Sequence, residues 1–202
     1  MSTRLYVATA QRCFGIRMQI RIASTDDRFD IAEIYAPIVE QTHISFEIIP
    51  PDASEMANRI AAALENHVWL VAEEAGRING YAHASKYRGK PAYEWSTETT
   101  IYVRDAVRGK GIGRSLYGAL LPILTAQNYR RAFAGIALPN AGSVALHEAA
   151  GFKYIGTNPE AGFKFDRWHD LGWWSFQLNN REGRPEPIIP LQKLGDLKRF
   201  IS

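Results

Sequence analysis

Cysteine is almost missing from the 202-residue chain: Cys13 stands alone, so an intrachain disulfide and a cysteine-built metal cage are both excluded. Long apolar runs are missing too, because charged or turn residues interrupt every stretch before the ~18 residues of a membrane helix. The five histidines (His43, His67, His83, His147, His169) show neither H-x-H nor H-x-x-x-H spacing, so no metal site is expected. Internal repeats and low-complexity tracts are absent as well. The net charge is only +3 and sits at the ends. Residues 1–21 hold Arg4, Arg12, Arg17 and Arg21 with no acid, residues 181–202 are net basic, and the body between them is net acidic. A nucleic-acid binder concentrates positive charge on its folded body, so nucleic acid is disfavoured as a ligand.

What remains is a composition typical of a globular protein, 46% hydrophobic and 22% charged, at a length that suits one domain. Residues 1–17 have no clear period and read as an extension ahead of a natural start at Met18. Residues 18–180 read as the domain and 181–202 as a basic tail. Within the domain, Gln19–Ala23 reads as a strand, and Ser24 with Asp27 gives the S-x-x-D pattern of a helix start. Ile31, Ile34, Tyr35 and Ile38 fall on one helical face, and Met56, Ile60 and Leu64 on another. Trp69–Glu73 and Ile78–Ser85 read as a hairpin turning at Ala75-Gly76. Residues 86–96 form a loop and Glu98–Val103 a β-branched strand. A long helix follows, carrying Leu116, Leu120, Ile123 and Leu124, with a kink expected at Pro122. Ala132–Leu138, a short helix Ser143–Ala150 stopped by Gly151, a strand Phe152–Ile155 and a last strand within Phe163–Leu178 complete the pattern. A hairpin followed by alternating strands and helices predicts an α/β sheet of mixed direction.

One segment carries the strongest chemical signal. Arg108-Gly109-Lys110-Gly111-Ile112-Gly113-Arg114-Ser115 lies between a strand and a helix, where glycines let consecutive backbone N–H groups face an anion and the helix adds its positive dipole end. The combination suits a pyrophosphate. It is neither a Walker A loop nor a dinucleotide fingerprint, since the lysine and glycine spacings of both are missing. Trp168-His169-Asp170 with Ser175 suggests a triad, but the segment lacks a nucleophile elbow.

Arg108–Gly113 resembles the [QR]-x-x-G-x-[GA] loop of the GNAT superfamily of acetyl-CoA-dependent N-acetyltransferases. Asn140 followed by Ala145-Leu146-His147-Glu148-Ala149-Ala150-Gly151-Phe152 is similar to that superfamily's later motif. The segments 93–103, 146–148 and 168–174 resemble the phosphinothricin N-acetyltransferases and their methionine sulfone- and sulfoximine-acetylating relatives. The resemblance spans roughly residues 19–178. It implies a mixed, mostly antiparallel α/β (α+β) sheet flanked by helices, and acetyl-CoA as co-substrate without a metal. It further implies a homodimer and a small amino-acid acceptor; the scarcity of cysteine fits a reducing, cytoplasmic setting, and neither nucleic acid nor membrane is expected as partner.

Residue by residue, the resemblance implies that Arg108, Gly109, Lys110, Gly111, Ile112, Gly113, Arg114 and Ser115 hold the pyrophosphate. Ile101, Tyr102 and Val103 would pair with the pantetheine arm, and Asn140 would meet the cofactor near its thiol. Glu98 matches the general base, His147 the active-site histidine, and Phe46, Lys90 and Tyr93 surround the acceptor. Two positions depart from the pattern: Glu47 stands where some phosphinothricin enzymes have arginine, and Lys90 replaces an arginine, losing its bidentate fork. The roles make chemical sense, since an α-ammonium must lose a proton before it attacks and the departing thiolate must gain one. The readings that compete are a coenzyme-A-binding sensor and an acetyltransferase of a protein or polyamine amine.

Overall fold

A computed structural model describes residues 18–180 and 182–201; the proposed extension 1–17 lies outside them. β1 (Gln19–Ile22) leads to a turn in which Ser24 N–H donates to the Asp27 carboxylate at 2.7 Å. The Asp27 N–H closes back on the Ser24 carbonyl, opening a 3₁₀ turn that runs into α1 (Arg28–Gln41). α2 (Ala53–Asn66) starts where the Asp52 side chain accepts from Glu55 N–H at 2.8 Å. β2 (Trp69–Glu74) and β3 (Arg77–Lys86) form the expected hairpin. Ala75 and Gly76 both take positive φ, which matches the twist of the flanking strands. β4 (Ser96–Val103), α3 (Ile112–Ala126), β5 (Arg131–Ala137), α4 (Ala141–Ala149), β6 (Lys153–Lys164) and β7 (Arg167–Gln177) follow. α3 runs through Pro122 to Ala126, so the proline does not end it.

The seven strands make one sheet in the order β1-β2-β3-β4-β5-β7-β6, antiparallel throughout except for the parallel pair β4–β5. Strand alternation divides the core into two. Leu70, Ala72, Ala82, Ala84, Ala132 and Ala134 pack with Leu116, Leu120, Ile123 and Leu124 of α3. Trp69, Val71 and Tyr81 pack on the other face with Ile31, Ile34, Ile38, Met56 and Ile60 of α1 and α2.

One strand departs from the expectation. β6 does not stop near Ile155 but continues to Lys164, and the chain reverses at Phe165-Asp166 before β7. Both turn residues have positive φ without a glycine, so the turn carries no glycine signal. Register shifts after Tyr154 and Asn158 break the alternation that would have marked the strand.

Residues 182–201 lie as a strap across the ends of α2 and α3. Ile189 N–H donates to the Gln127 carbonyl, and Gln127 Nε2 returns a bond to the Ile189 carbonyl, both at 3.0 Å. Trp95 Nε1 donates to the Glu186 carbonyl at 2.7 Å and Gln192 Nε2 to the Leu64 carbonyl at 2.6 Å. Leu191 is buried in the α3 core. Leu191→Ala is expected to cost about 2 kcal/mol in urea unfolding.

Candidate active site

β4 and β5 pair at only three positions, Ser96↔Arg131, Thr97↔Ala132 and Glu98↔Phe133. Beyond Glu98 they separate, while β3 continues to hold the other edge of β4 as far as Gly80↔Val103. The separation leaves a free backbone edge on β4 and opens a cleft with two adjoining chambers. One, of about 390 Å³, is lined by Ile101, Tyr102, Val103 and the glycine-rich loop. The other, of about 260 Å³, is lined by Phe46, Glu98, Thr100, His147 and Leu171. Asn140 and Ser143 line both.

Gly109 and Gly111 have φ of +78° and +83°, and nothing lies within 4 Å of where their Cβ atoms would sit. Their backbone is therefore open to a ligand in a conformation other residues rarely take. The first N–H groups of α3 have no partner within the helix, which makes this end an anion site. Arg108, Ile112, Gly113 and Arg114 line the same chamber, whereas Lys110 and Ser115 are exposed and lie outside its lining. Gly113 lets α4 approach, since a Cβ there would meet Leu146 at 2.7 Å. The donors, the glycine cradle and the free strand edge fit a phosphate-bearing chain with an extended arm. Among the described residues no three His, Cys, Asp or Glu side chains gather to hold a metal.

Glu98 faces the second chamber from the point where β4 leaves β5. Burial raises its pKa above the ordinary carboxylate value, and the Arg88 charge offsets this only in part. Arg88 is a residue that the sequence motifs did not mark. Its guanidinium lies 4.3 Å above the Tyr87 ring and 5.3 Å from that of Trp173. Lys90 and Tyr93 occupy the exposed loop beyond and line neither chamber. Tyr93 meets Tyr87 edge-on at 5.8 Å.

The wall carrying Phe46 is anchored from across the fold. Lys164 Nζ, buried at the end of β6, donates to the carbonyls of Val39, Ser45 and Glu47 at 2.6, 2.8 and 2.8 Å. Glu47, the departure noted in the sequence, turns away from the chamber and accepts from Arg59 at 2.8 and 3.2 Å and from Tyr35 Oη at 2.9 Å. A Cβ on Gly162 would meet the Phe46 ring at 2.6 Å. Gly162→Ala is expected to displace that ring and to weaken by about tenfold the binding of any small ligand that packs on it, as one lost apolar contact does, and an unaltered affinity for the chamber's ligand would remove Phe46 from its wall.

His147 is buried and both its nitrogens are engaged. Nδ1 donates to the Ser143 carbonyl at 2.7 Å, and Nε2 is 2.7 Å from Tyr117 Oη. Burial lowers its pKa, with the Ser143 bond opposing. Asn140 caps α4, its Oδ1 accepting from Ser143 N–H at 3.1 Å.

Comparison with known proteins identifies the family. The family described as "Acetyltransferase (GNAT) domain" matches residues 20–173. A phosphinothricin N-acetyltransferase from Streptomyces viridochromogenes is 34% identical over 88% of this chain and 96% of its own. An L-methionine sulfoximine/L-methionine sulfone acetyltransferase from Pseudomonas paraeruginosa is 35% identical over 82% of this chain and 98% of its own. The crystal structure of a GNAT superfamily phosphinothricin acetyltransferase from Sinorhizobium meliloti, in complex with AcCoA, superimposes with a TM-score of 0.81. That protein is 34% identical, and the match covers 89% of this chain and 99% of that one. With the matched family spanning most of the chain, and the split strand and glycine loop in place, this chain belongs to the GNAT family of acetyltransferases.

Proposed function

We propose that this enzyme moves the acetyl group of acetyl-CoA directly to the α-amino group of an amino acid or close analogue, of the phosphinothricin or methionine sulfoximine and sulfone class. The observation that carries the reading is the position of Glu98. A carboxylate of raised pKa stands where the free β4 edge and the smaller chamber meet. Such a group is better matched to taking the ammonium proton than an ordinary carboxylate, directly or through a water. In this reading the pyrophosphate lies on the loop 108–114, and the pantetheine arm runs along Ile101–Val103. A backbone N–H of that edge stabilises charge developing on the carbonyl oxygen. Asn140 faces the thiol end and His147 serves the departing thiolate. Phe46 walls the acceptor, and Arg88 offers charge to its carboxylate, with Lys90 and Tyr93 further out on the same loop.

The enzyme would act in the cytoplasm as a homodimer. Tyr154, Ile155, Phe163, Phe165 and Trp168, all more than half exposed on the β6–β7 hairpin, are the surface that supports pairing. The size of the second chamber, about 260 Å³, favours a small acceptor over a protein or polyamine. The test is acetyl-CoA-dependent thiol release against phosphinothricin, methionine sulfoximine, methionine sulfone, ordinary amino acids and a polyamine. Turnover on an amino-acid member is expected. Tight acetyl-CoA binding with no turnover on any amine would instead make the protein a coenzyme-A sensor.

A further inference from the structure

A buried chain of hydroxyls joins the active-site strand to His147. Tyr117 of α3, fully enclosed, has its Oη 2.7 Å from His147 Nε2 and 3.3 Å from Thr99 Oγ1. Thr99 Oγ1 is also 3.3 Å from the Phe133 carbonyl of β5. A carbonyl only accepts, so the Ser143 contact fixes a proton on Nδ1 and leaves Nε2 as the atom that changes. We propose that Tyr117 and Thr99 are positioning residues that let the enclosed His147 hold either one proton or two by turning two hydroxyls, without moving the backbone. This inference rests on the transferase reading for its use, but not for its geometry.

With neutral imidazole, Thr99 O–H donates to Tyr117 Oη, and Tyr117 O–H donates to Nε2. With imidazolium, Nε2–H donates to Tyr117 Oη, Tyr117 O–H to Thr99 Oγ1, and Thr99 O–H to the Phe133 carbonyl. Every proton has an acceptor in both arrangements, so neither state leaves a buried polar group unpaired. Replacing either hydroxyl removes that property from the charged state in particular. Tyr117 itself does not ionise in either arrangement, because burial pushes its pKa up.

Ser143, whose Oγ lies 3.3 Å from His147 Nδ1, lines both chambers. In the imidazolium state Nδ1 keeps its proton on the Ser143 carbonyl, and the charge of the ring favours the departing thiolate across Ser143. The other titratable groups around His147 are Glu98, across the second chamber, and Glu148 on its own helix, which accepts from Trp174 Nε1 at 3.3 Å. Phe152 packs edge-on against the ring.

The experiment is a pH titration of the histidine ring nitrogens by NMR in the full chain, with His147 assigned by loss of its signal in His147→Asn. Thr99→Val keeps a β-branched strand residue of the same shape and does not touch His147. It is expected to lower the His147 pKa by roughly one unit, as losing a hydrogen bond that supports a charged group does. Tyr117→Phe should lower it at least as far. In the same variants the alkaline limb of kcat should move to lower pH by the same amount, with KM for acetyl-CoA unchanged. A His147 titration unmoved by Thr99→Val in a working transferase overturns the hydroxyl chain alone. A titration that moves as expected in a protein that acetylates no amine upholds the chain and overturns the proposed function.

Discussion

Glu98→Gln should lower kcat by about 10²- to 10⁴-fold, the span that a positioned general base contributes, while acetyl-CoA binding holds and the melting temperature does not fall. The amide keeps the size of the carboxylate, so the chamber and the free backbone edge of β4 stay in place. No hydrogen bond from the described residues holds the Glu98 carboxylate. Burial disfavours its charge, and Arg88 repays only part. A carboxyl whose folded pKa is raised opposes folding once the pH exceeds its ordinary value, so a neutral amide relieves that cost at pH 7. The activity runs the other way. The base works when it has lost its proton, so wild-type kcat/KM should rise with pH through a limb above the ordinary carboxylate value. Glu98→Gln should lose both the rate and that limb. Unchanged kcat would remove Glu98 as the base, and loss of acetyl-CoA binding would make it part of the co-substrate wall instead.

Much of this site could be read from the letters because its signals are local. A glycine loop between a strand and a helix, and alternation along 98–103, are short-range patterns, as are the apolar stripes of α1, α2 and α3. The split between β4 and β5 is not, since pairing that stops at Glu98↔Phe133 is decided by what wedges between distant strands. The same limit explains Arg88. Arg88 and Lys90 are two residues apart in a loop of ordinary composition. It is in the folded chain that Tyr87 stacks on Phe133, 4.2 Å between centroids, and that the charge of the neighbouring Arg88 acts on Glu98. Lys164 reads as a solvated charge near a strand end, but its three carbonyl acceptors come from residues more than a hundred positions away. The strap was hidden because Pro185, Pro187 and Pro190 interrupt any period that Ile188, Ile189 and Leu191 would show.

Acidification should destabilise the wild-type protein by about 2 kcal/mol more at pH 5 than at pH 7.5 through one residue outside the site, His83, and His83→Phe should abolish that share. The ring stacks on Trp69 at 4.3 Å and near Tyr81 at 6.3 Å. His83 Nδ1 and Trp69 Nε1 are buried without a hydrogen-bond partner among the described residues. Burial holds the His83 pKa down at about 4, and only a backbone contact at Ala84 opposes it; His67 and Arg59 push the same way. In the unfolded chain the same imidazole takes a proton near pH 6.5. Between those values the unfolded state binds a proton that the folded state refuses. Stability is therefore complete above pH 6.5, falls as the pH drops toward 4, and changes no further below that for this group. His67 and His147 are also held neutral by burial, so they add to the acid sensitivity of both proteins and cancel in the comparison. The measurement is urea unfolding of wild type and His83→Phe at pH 7.5 and pH 5. Phenylalanine keeps a ring between the same neighbours and never charges, so the two stabilities should diverge as the pH falls. Parallel loss in both would mean that His83 takes up its proton in the folded protein.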